Sequence, residues 1–215
     1  MEPTRIGSDE VGKGDYFGPL VVAAVRADGA TLDLFGALGI AESKKVSDGR
    51  AKSLARQIID AQVPHAVVAI GPERYNELYT QMKNLNRLLA WAHARAIENL
   101  LNQADAELVV IDQFAAPALI ESTLFQKGKA IPVHQMPRAE RDPVVAAASI
   151  IARAEFLRRL DQLSQKAGLT LPKGAGPPVD QAGARLLARG GPELLKAFAK
   201  LHFKNTKKAE QLRSR

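Results

Sequence analysis

Two short apolar runs near the start of the chain are separated only by a glycine-rich stretch, and this limits the fold more than any other feature. The first covers Arg5 to Glu10 and reads as an edge strand or a first core strand. The second, Pro19 to Arg26, carries Leu20, Val21, Val22 and Val25, the pattern of a buried strand. Gly12, Gly14 and Gly18 lie between them, so the two runs are expected to form a hairpin. The hairpin carries an acidic pair, Asp9-Glu10, at the end of its first strand.

The rest of the chain alternates strand-sized and helical patterns. Ser47 and Asp48 can cap a helix running to about Ala61. His65 to Ile70 reads as a strand ended by Gly71-Pro72. A long helix is expected from roughly Asn76 to Gln103, with Leu85, Leu88, Leu89, Ala92, Ala96 and Leu100 on one face. Glu107 to Ile111 is an apolar strand closing on Asp112, and Ile131 to Val133 is a weaker strand. Asp142-Pro143 opens the next helix with an N-cap and a proline at its first position, and this helix runs to about Gln165. After a Pro/Gly loop from Leu171 to Val179, two further helices are expected, about Asp180 to Leu187 and Pro192 to Phe203. The pattern predicts a mixed sheet flanked by helices, an α/β fold in which sites gather at strand ends.

The 215 residues suit one domain, with a helical appendage over about 180–215, and 46 % apolar residues are enough for a core. With no cysteine, disulfides and thiolate metal sites are excluded. Residues 1–7 do not read as a secretory signal, and no apolar run is long enough to span a bilayer, so a soluble, cytoplasmic protein without membrane attachment is expected. Thirty lysines and arginines against 23 acids give a net charge of +7. That surplus suits a polyanionic partner and equally suits simple solubility. Lys196, Lys200, His202, Lys204, Lys207, Lys208, Arg213 and Arg215 crowd the last twenty residues, which reads either as a binding face or as a solvated helix or tail.

Acids at strand ends point to one chemistry in particular. Mg²⁺ takes hard oxygen ligands, and two such ions about 4 Å apart can clamp a phosphodiester, one side activating water and the other stabilising the leaving oxygen. Asp9, Glu10, Asp112 and an acid near residue 140 meet that need, although spacing alone is a weak signal among 23 acids. Glycines after Asp9-Glu10 allow a backbone to approach a sugar-phosphate closely. Gly12-Lys13-Gly14 lacks the spacing of a P-loop, and Phe17 stands where a dinucleotide fingerprint needs its third glycine. The histidines are His65, His93, His134 and His202. None accompanies a nucleophile elbow or zinc spacing, and His93 reads as a packing residue within a helical apolar pattern.

These residues, taken together, resemble a family. Gly7-Ser8-Asp9-Glu10-Val11-Gly12-Lys13-Gly14-Asp15-Tyr16-Phe17-Gly18-Pro19 is similar to the opening motif of type 2 ribonucleases H, in the HIII form. Glu42-Ser43-Lys44-Lys45 resembles the family's Asp-Ser-Lys-Lys, with Glu in place of Asp. Tyr75-Asn76-Glu77-Leu78-Tyr79, Asn84-Leu85-Asn86 and Leu89-Ala90-Trp91-Ala92-His93-Ala94-Arg95-Ala96 resemble HIII segments, and Ile111-Asp112-Gln113-Phe114 resembles its third-acid strand. Ala146-Ala147-Ala148-Ser149-Ile150-Ile151-Ala152-Arg153 is similar to a hallmark of the superfamily. Leu171-Pro172-Lys173-Gly174-Ala175 and Leu201-His202-Phe203-Lys204-Asn205 extend the likeness almost to the end.

The resemblance implies a ribonuclease H-like fold, a five-stranded mixed sheet flanked by helices with a C-terminal helical extension. It implies hydrolysis of the RNA strand of an RNA/DNA hybrid duplex, leaving 3′-hydroxyl and 5′-phosphate ends. Two ions, Mg²⁺ or Mn²⁺, are expected on Asp9, Glu10, Asp112 and Glu140. Asp142 is the rival fourth acid, but it precedes Pro143 and suits an N-cap. Gly12, Lys13 and Gly14 are expected along the minor groove, where the 2′-hydroxyl marks RNA. Ser43, Lys44, Ser149 and Lys173 are candidates for phosphate or sugar contact, with packing or solvation the alternative for each. HIII proteins usually carry an additional N-terminal substrate-binding domain, which is expected to be missing here because the first strand begins at about Arg5. HII-like enzymes pair the glycine loop with a tyrosine from the C-terminal half, and Tyr16, Tyr75 and Tyr79 all lie in the first eighty residues. Weak cutting at a lone embedded ribonucleotide is therefore expected. A monomer is the expected state. A junction resolvase of the same fold and a non-catalytic hybrid-binding module are the alternatives.

Overall fold

The computed structural model describes residues 2–40 and 47–214. Ser43 and Lys44 lie outside the described residues. Five strands form one sheet: β1 (Arg5–Val11), β2 (Leu20–Ala27), β3 (His65–Ile70), β4 (Leu108–Asp112) and β5 (Val133–Met136), in the order β3-β2-β1-β4-β5. The β1–β4 and β4–β5 pairs are parallel. Only residues 12–19 connect β1 to β2, too few for the crossover that parallel neighbours need, so this pair is the expected hairpin and the sheet is mixed. Eight α-helices accompany it among the described residues: α1 (Gly29–Ala37), α2 (Asp48–Asp60), α3 (Pro72–Met82), α4 (Leu85–Leu101), α5 (Pro117–Thr123), α6 (Pro143–Ala167), α7 (Pro177–Phe198) and α8 (Asn205–Arg213).

Residue contacts divide the chain into two compact units. The first comprises Met1–Glu10, Val21–Val68 and Asn84–Ala154, and the second Val11–Leu20, Ala69–Lys83 and Glu155–Arg215. In the first unit, β2 is buried along its whole length except at Arg26, as its unbroken apolar run requires. The side chain of Ser47 caps α2 by accepting from the Arg50 amide at 3.3 Å, as the sequence predicts. Gly7 explains how closely α6 crosses β1: a Cβ there would lie 2.4 Å from the Val144 carbonyl carbon and the Val145 nitrogen. Any side chain at position 7 would push the helix off the strand and carry Ser149, one and a half turns further on, away from β1.

Three expectations need correction. The long helix from Asn76 to Gln103 is two helices, α3 and α4. Lys83 adopts a left-handed conformation (φ +50°) that closes α3, and the Asn84 side chain then caps α4 by accepting from the Asn86 and Arg87 amides at 2.9 and 3.2 Å. The apolar periodicity runs through this junction and hides it. The weak strand expected at Ile131 to Val133 is displaced to Val133–Met136. The last expected helix does not reach Phe203. α7 breaks at Gly190-Gly191, resumes at Pro192 and stops at Phe198, after which Ala199 bridges to Phe17. The basic C-terminus folds as α8, with Asn205 buried at its start and bonded to the Ala175 carbonyl and to Asp180.

Candidate active site

In the first unit, β1 delivers Asp9 and Glu10 to the end of the sheet. Ser8 pairs with Ile111 in the parallel register, so Asp9 and Asp112 follow at the next positions of neighbouring strands. Asp9 accepts from the Glu10 amide at 2.8 Å and from the Ser149 hydroxyl. Burial, and then the charge of Glu10, nevertheless push its carboxyl up to about 6. Ser149 thus sits against a carboxylate, a contact its place in the alanine-rich helix did not announce.

Asp112 accepts from the Ala139 amide at 2.9 Å, tying the end of β4 to a short 3₁₀ turn, Ala139–Arg141. Arg138 enters that turn in the left-handed region (φ +59°), and the turn holds Glu140 partly buried. Asp142 is occupied otherwise. Its carboxylate caps α6 by accepting from the Val144 amide at 2.8 Å and takes the Arg5 guanidinium at 3.0 Å. Among the described residues, no group of three or more His, Asp or Glu is already drawn into a cation cage. The donors at hand are all carboxylate oxygens, the hard ligands that a divalent cation such as Mg²⁺ or Mn²⁺ would take.

His93 corrects the sequence reading most sharply. It is fully buried, as a packing residue would be, yet both ring nitrogens are engaged, Nδ1 with Ser8 Oγ at 2.8 Å and Nε2 with Glu10 Oε2 at 3.1 Å. The signal that could have found it is a histidine among alanines on an otherwise apolar helix face, since burial without a partner is costly.

The second unit holds the glycine loop. Gly12 has φ +97°, and a Cβ there would lie 2.2 Å from the Pro19 carbonyl oxygen, so no other residue fits. Lys13 and Gly14 are exposed beside it. The loop is knit to the segment carrying Lys173: the Tyr16 amide donates to the Gly174 carbonyl at 2.9 Å, and the Gly174 amide to the Asp15 carboxylate at 2.6 Å. The structure therefore brings together Gly12, Lys13, Gly14 and Lys173, which the sequence placed 160 residues apart. Their organiser is Lys200, counted above among basic C-terminal residues and in fact wholly buried. Its ammonium donates to the carbonyls of Asp15 and Gly18 at 2.8 and 2.7 Å and lies 3.4 Å from that of Phe17. Burial pushes its pKa down to about 7, with Asp15 opposing. Phe156 is buried beneath the loop, against Gly12 and Gly18.

Comparison with known proteins places the chain in a family. The sequence model of ribonuclease HII matches residues 6–206. Ribonuclease HIII of Bacillus licheniformis is 43 % identical over 223 residues, which take in 98 % of this chain and 68 % of that protein. The corresponding enzyme of Protochlamydia amoebophila is 43 % identical over 200 residues, 93 % of this chain and 66 % of its own. Among solved structures, Bst-RNase HIII in complex with Mn²⁺ superposes with a TM-score of 0.91 at 40 % identity, covering 98 % of this chain and 70 % of the other. The mixed sheet and its helices are thus the ribonuclease H-like fold. The chain belongs to the ribonuclease HII–HIII family of ribonuclease H endonucleases. It spans about two thirds of the length of these relatives. No described helix is long and apolar enough to cross a membrane.

Proposed function

We propose that this protein hydrolyses the RNA strand of RNA/DNA hybrids, using Asp9, Glu10, Asp112 and Glu140 to hold two divalent ions, Mg²⁺ or Mn²⁺. The observation that carries the reading is the set of carboxylates at the ends of β1 and β4, where Asp9 and Asp112 follow the paired Ser8 and Ile111 on neighbouring strands. The Mn²⁺ complex of the similar Bst-RNase HIII supports the use of a divalent ion. Bound there, such ions supply positive charge to activate water and to stabilise the leaving 3′-oxygen, giving 3′-hydroxyl and 5′-phosphate ends. The residues of the chain do the rest. Asp9 and Asp112 are held by backbone amides so that their carboxylates keep one orientation. Glu140 is favoured as the fourth acid because Asp142 is committed to its helix cap and to Arg5.

Substrate contacts fall to Gly12, Lys13 and Gly14 on the glycine loop and to Lys173 on the segment bonded to it, a surface that can follow a backbone and sense the 2′-hydroxyl of RNA. Ser149 serves Asp9 first, and a sugar contact is its second role. We read residues 1–215 as a single catalytic domain, because the family match runs through both compact units. The enzyme should cut runs of ribonucleotides well and a lone embedded ribonucleotide weakly. Tyr16 and Tyr75 are buried, and Phe156 is committed to packing under the glycine loop, so none is offered as a ring that senses a missing 2′-hydroxyl. The test is cleavage of a continuous labelled hybrid and of a duplex with one embedded ribonucleotide, at matched metal and salt. Faster cutting of the hybrid supports this specificity, and equal or faster cutting of the second substrate contradicts it.

A further inference from the structure

One buried chain of hydrogen bonds identifies a further residue of the site. Ser8 Oγ donates to the Ala23 carbonyl on β2, 2.9 Å away. Ser8 Oγ also lies 2.8 Å from His93 Nδ1, so the hydroxyl ties the imidazole to the backbone of β2. That fixes the ring and aims Nε2 at Glu10 Oε2, 3.1 Å away. The side chains of His93 and Glu10 are 0 % and 3 % exposed, so water does not compete for this bond. The far face of the imidazole is closed by Phe114, stacked at 5.1 Å between ring centroids and 17° between planes. Phe114 lies two residues beyond Asp112. One ring thus touches the segments that carry two of the acids.

We propose that His93, set by Ser8, is a positioning residue that holds the plane of the Glu10 carboxylate for a divalent cation. This rests on the reading of Glu10 as a metal ligand. A position that served packing alone would be filled better by a leucine or phenylalanine, which bring no polar atoms to satisfy in so apolar a helix face. Partners one shell out from a metal orient its ligands, and their removal costs roughly 10- to 100-fold in metal affinity. Gln at position 93 places an amide nitrogen near the Nε2 position and keeps the bond to Glu10. Phe keeps the ring, its volume and the stacking on Phe114, and removes both nitrogens.

The experiment is calorimetric titration of Mn²⁺ into the full chain and its variants, with thermal melts in chelator as the folding control. His93→Phe is expected to weaken Mn²⁺ binding roughly 10- to 100-fold. His93→Gln should recover most of that loss, and Ser8→Ala should fall between the two. In cleavage assays the same variants should lose kcat and keep the KM for hybrid. A folded His93→Phe that binds Mn²⁺ as the wild type does overturns the inference; if that variant does not fold, Ser8→Ala decides on the same criterion. Glu10→Gln separates the two levels. Undiminished Mn²⁺ binding there removes the metal-site reading itself, whereas loss in Glu10→Gln with none in His93→Phe removes only the role of His93.

Discussion

The acidic end of β1 and the glycine loop that follows it are a few residues apart in sequence, yet they bury charge in opposite ways. At Asp9 and Glu10, two carboxylates share a site with amide, hydroxyl and imidazole partners, and the Asp9 carboxyl rises to about 6. At Lys200, one ammonium is wrapped by carbonyl oxygens of the loop it supports. The first arrangement sets like charges side by side in a buried place. The second meets the charge internally and shapes a backbone. The carboxylates crowd charge of one sign together, whereas the ammonium is met by the carbonyls of the backbone it shapes.

The comparison can be broken at its acidic end first. Glu140→Gln should lower cleavage by roughly 100-fold or more, the scale of losing charge aimed at a transition state. Asp142→Asn should keep most activity and lower stability by about 1 kcal/mol, as for a weakened helix cap. Rates and melts on both variants check this, and an inactive but stably folded Asp142→Asn would exchange the two roles.

Lys200→Met should act at the other end. It leaves the Asp15 and Gly18 carbonyls unpaired, costing about 2–3 kcal/mol of stability. With the loop no longer held, the KM for hybrid should rise roughly tenfold, equivalent to 1.4 kcal/mol of lost binding, with kcat changing less. A variant that loses stability but keeps its KM would show that Lys200 supports the fold alone.

A smaller effect concerns pH. The Asp9 carboxyl is raised in the fold above its ordinary value near 4, so its contribution to stability is present at low pH and is lost as pH rises from about 4 through about 6. In chelator, Asp9→Asn, which keeps an oxygen for the Glu10 amide and Ser149, should therefore be more stable than the wild type at pH 7. The gain should be on the order of 3 kcal/mol and should vanish below about pH 4. Melts across that range test it. A variant less stable than the wild type at pH 7 would mean that Asp9 is not strained by its charge.

How far the sequence reveals this molecule follows from the range of each signal. The hairpin, the capped helix at Ser47 and the strand at His65–Ile70 were legible because local patterns determine them. The break between α3 and α4 was not, since Lys83 carries no glycine or proline to mark its left-handed turn. Asp9, Glu10 and Asp112 were legible as acids at strand ends. His93 and Lys200 were hidden for a common reason: their partners lie 83 and 182–185 residues away in the chain, and only the folded structure brings them together.

The most direct test of the account is cleavage of a labelled RNA/DNA hybrid by the wild type and by Asp9→Asn, with Mg²⁺, with Mn²⁺ and with chelator. The account predicts cutting by the wild type with either ion and none in chelator. Asp9→Asn should be inactive in all three while folding normally and still binding hybrid. Near-normal turnover by Asp9→Asn in Mg²⁺, or undiminished cutting by the wild type in chelator, would contradict it.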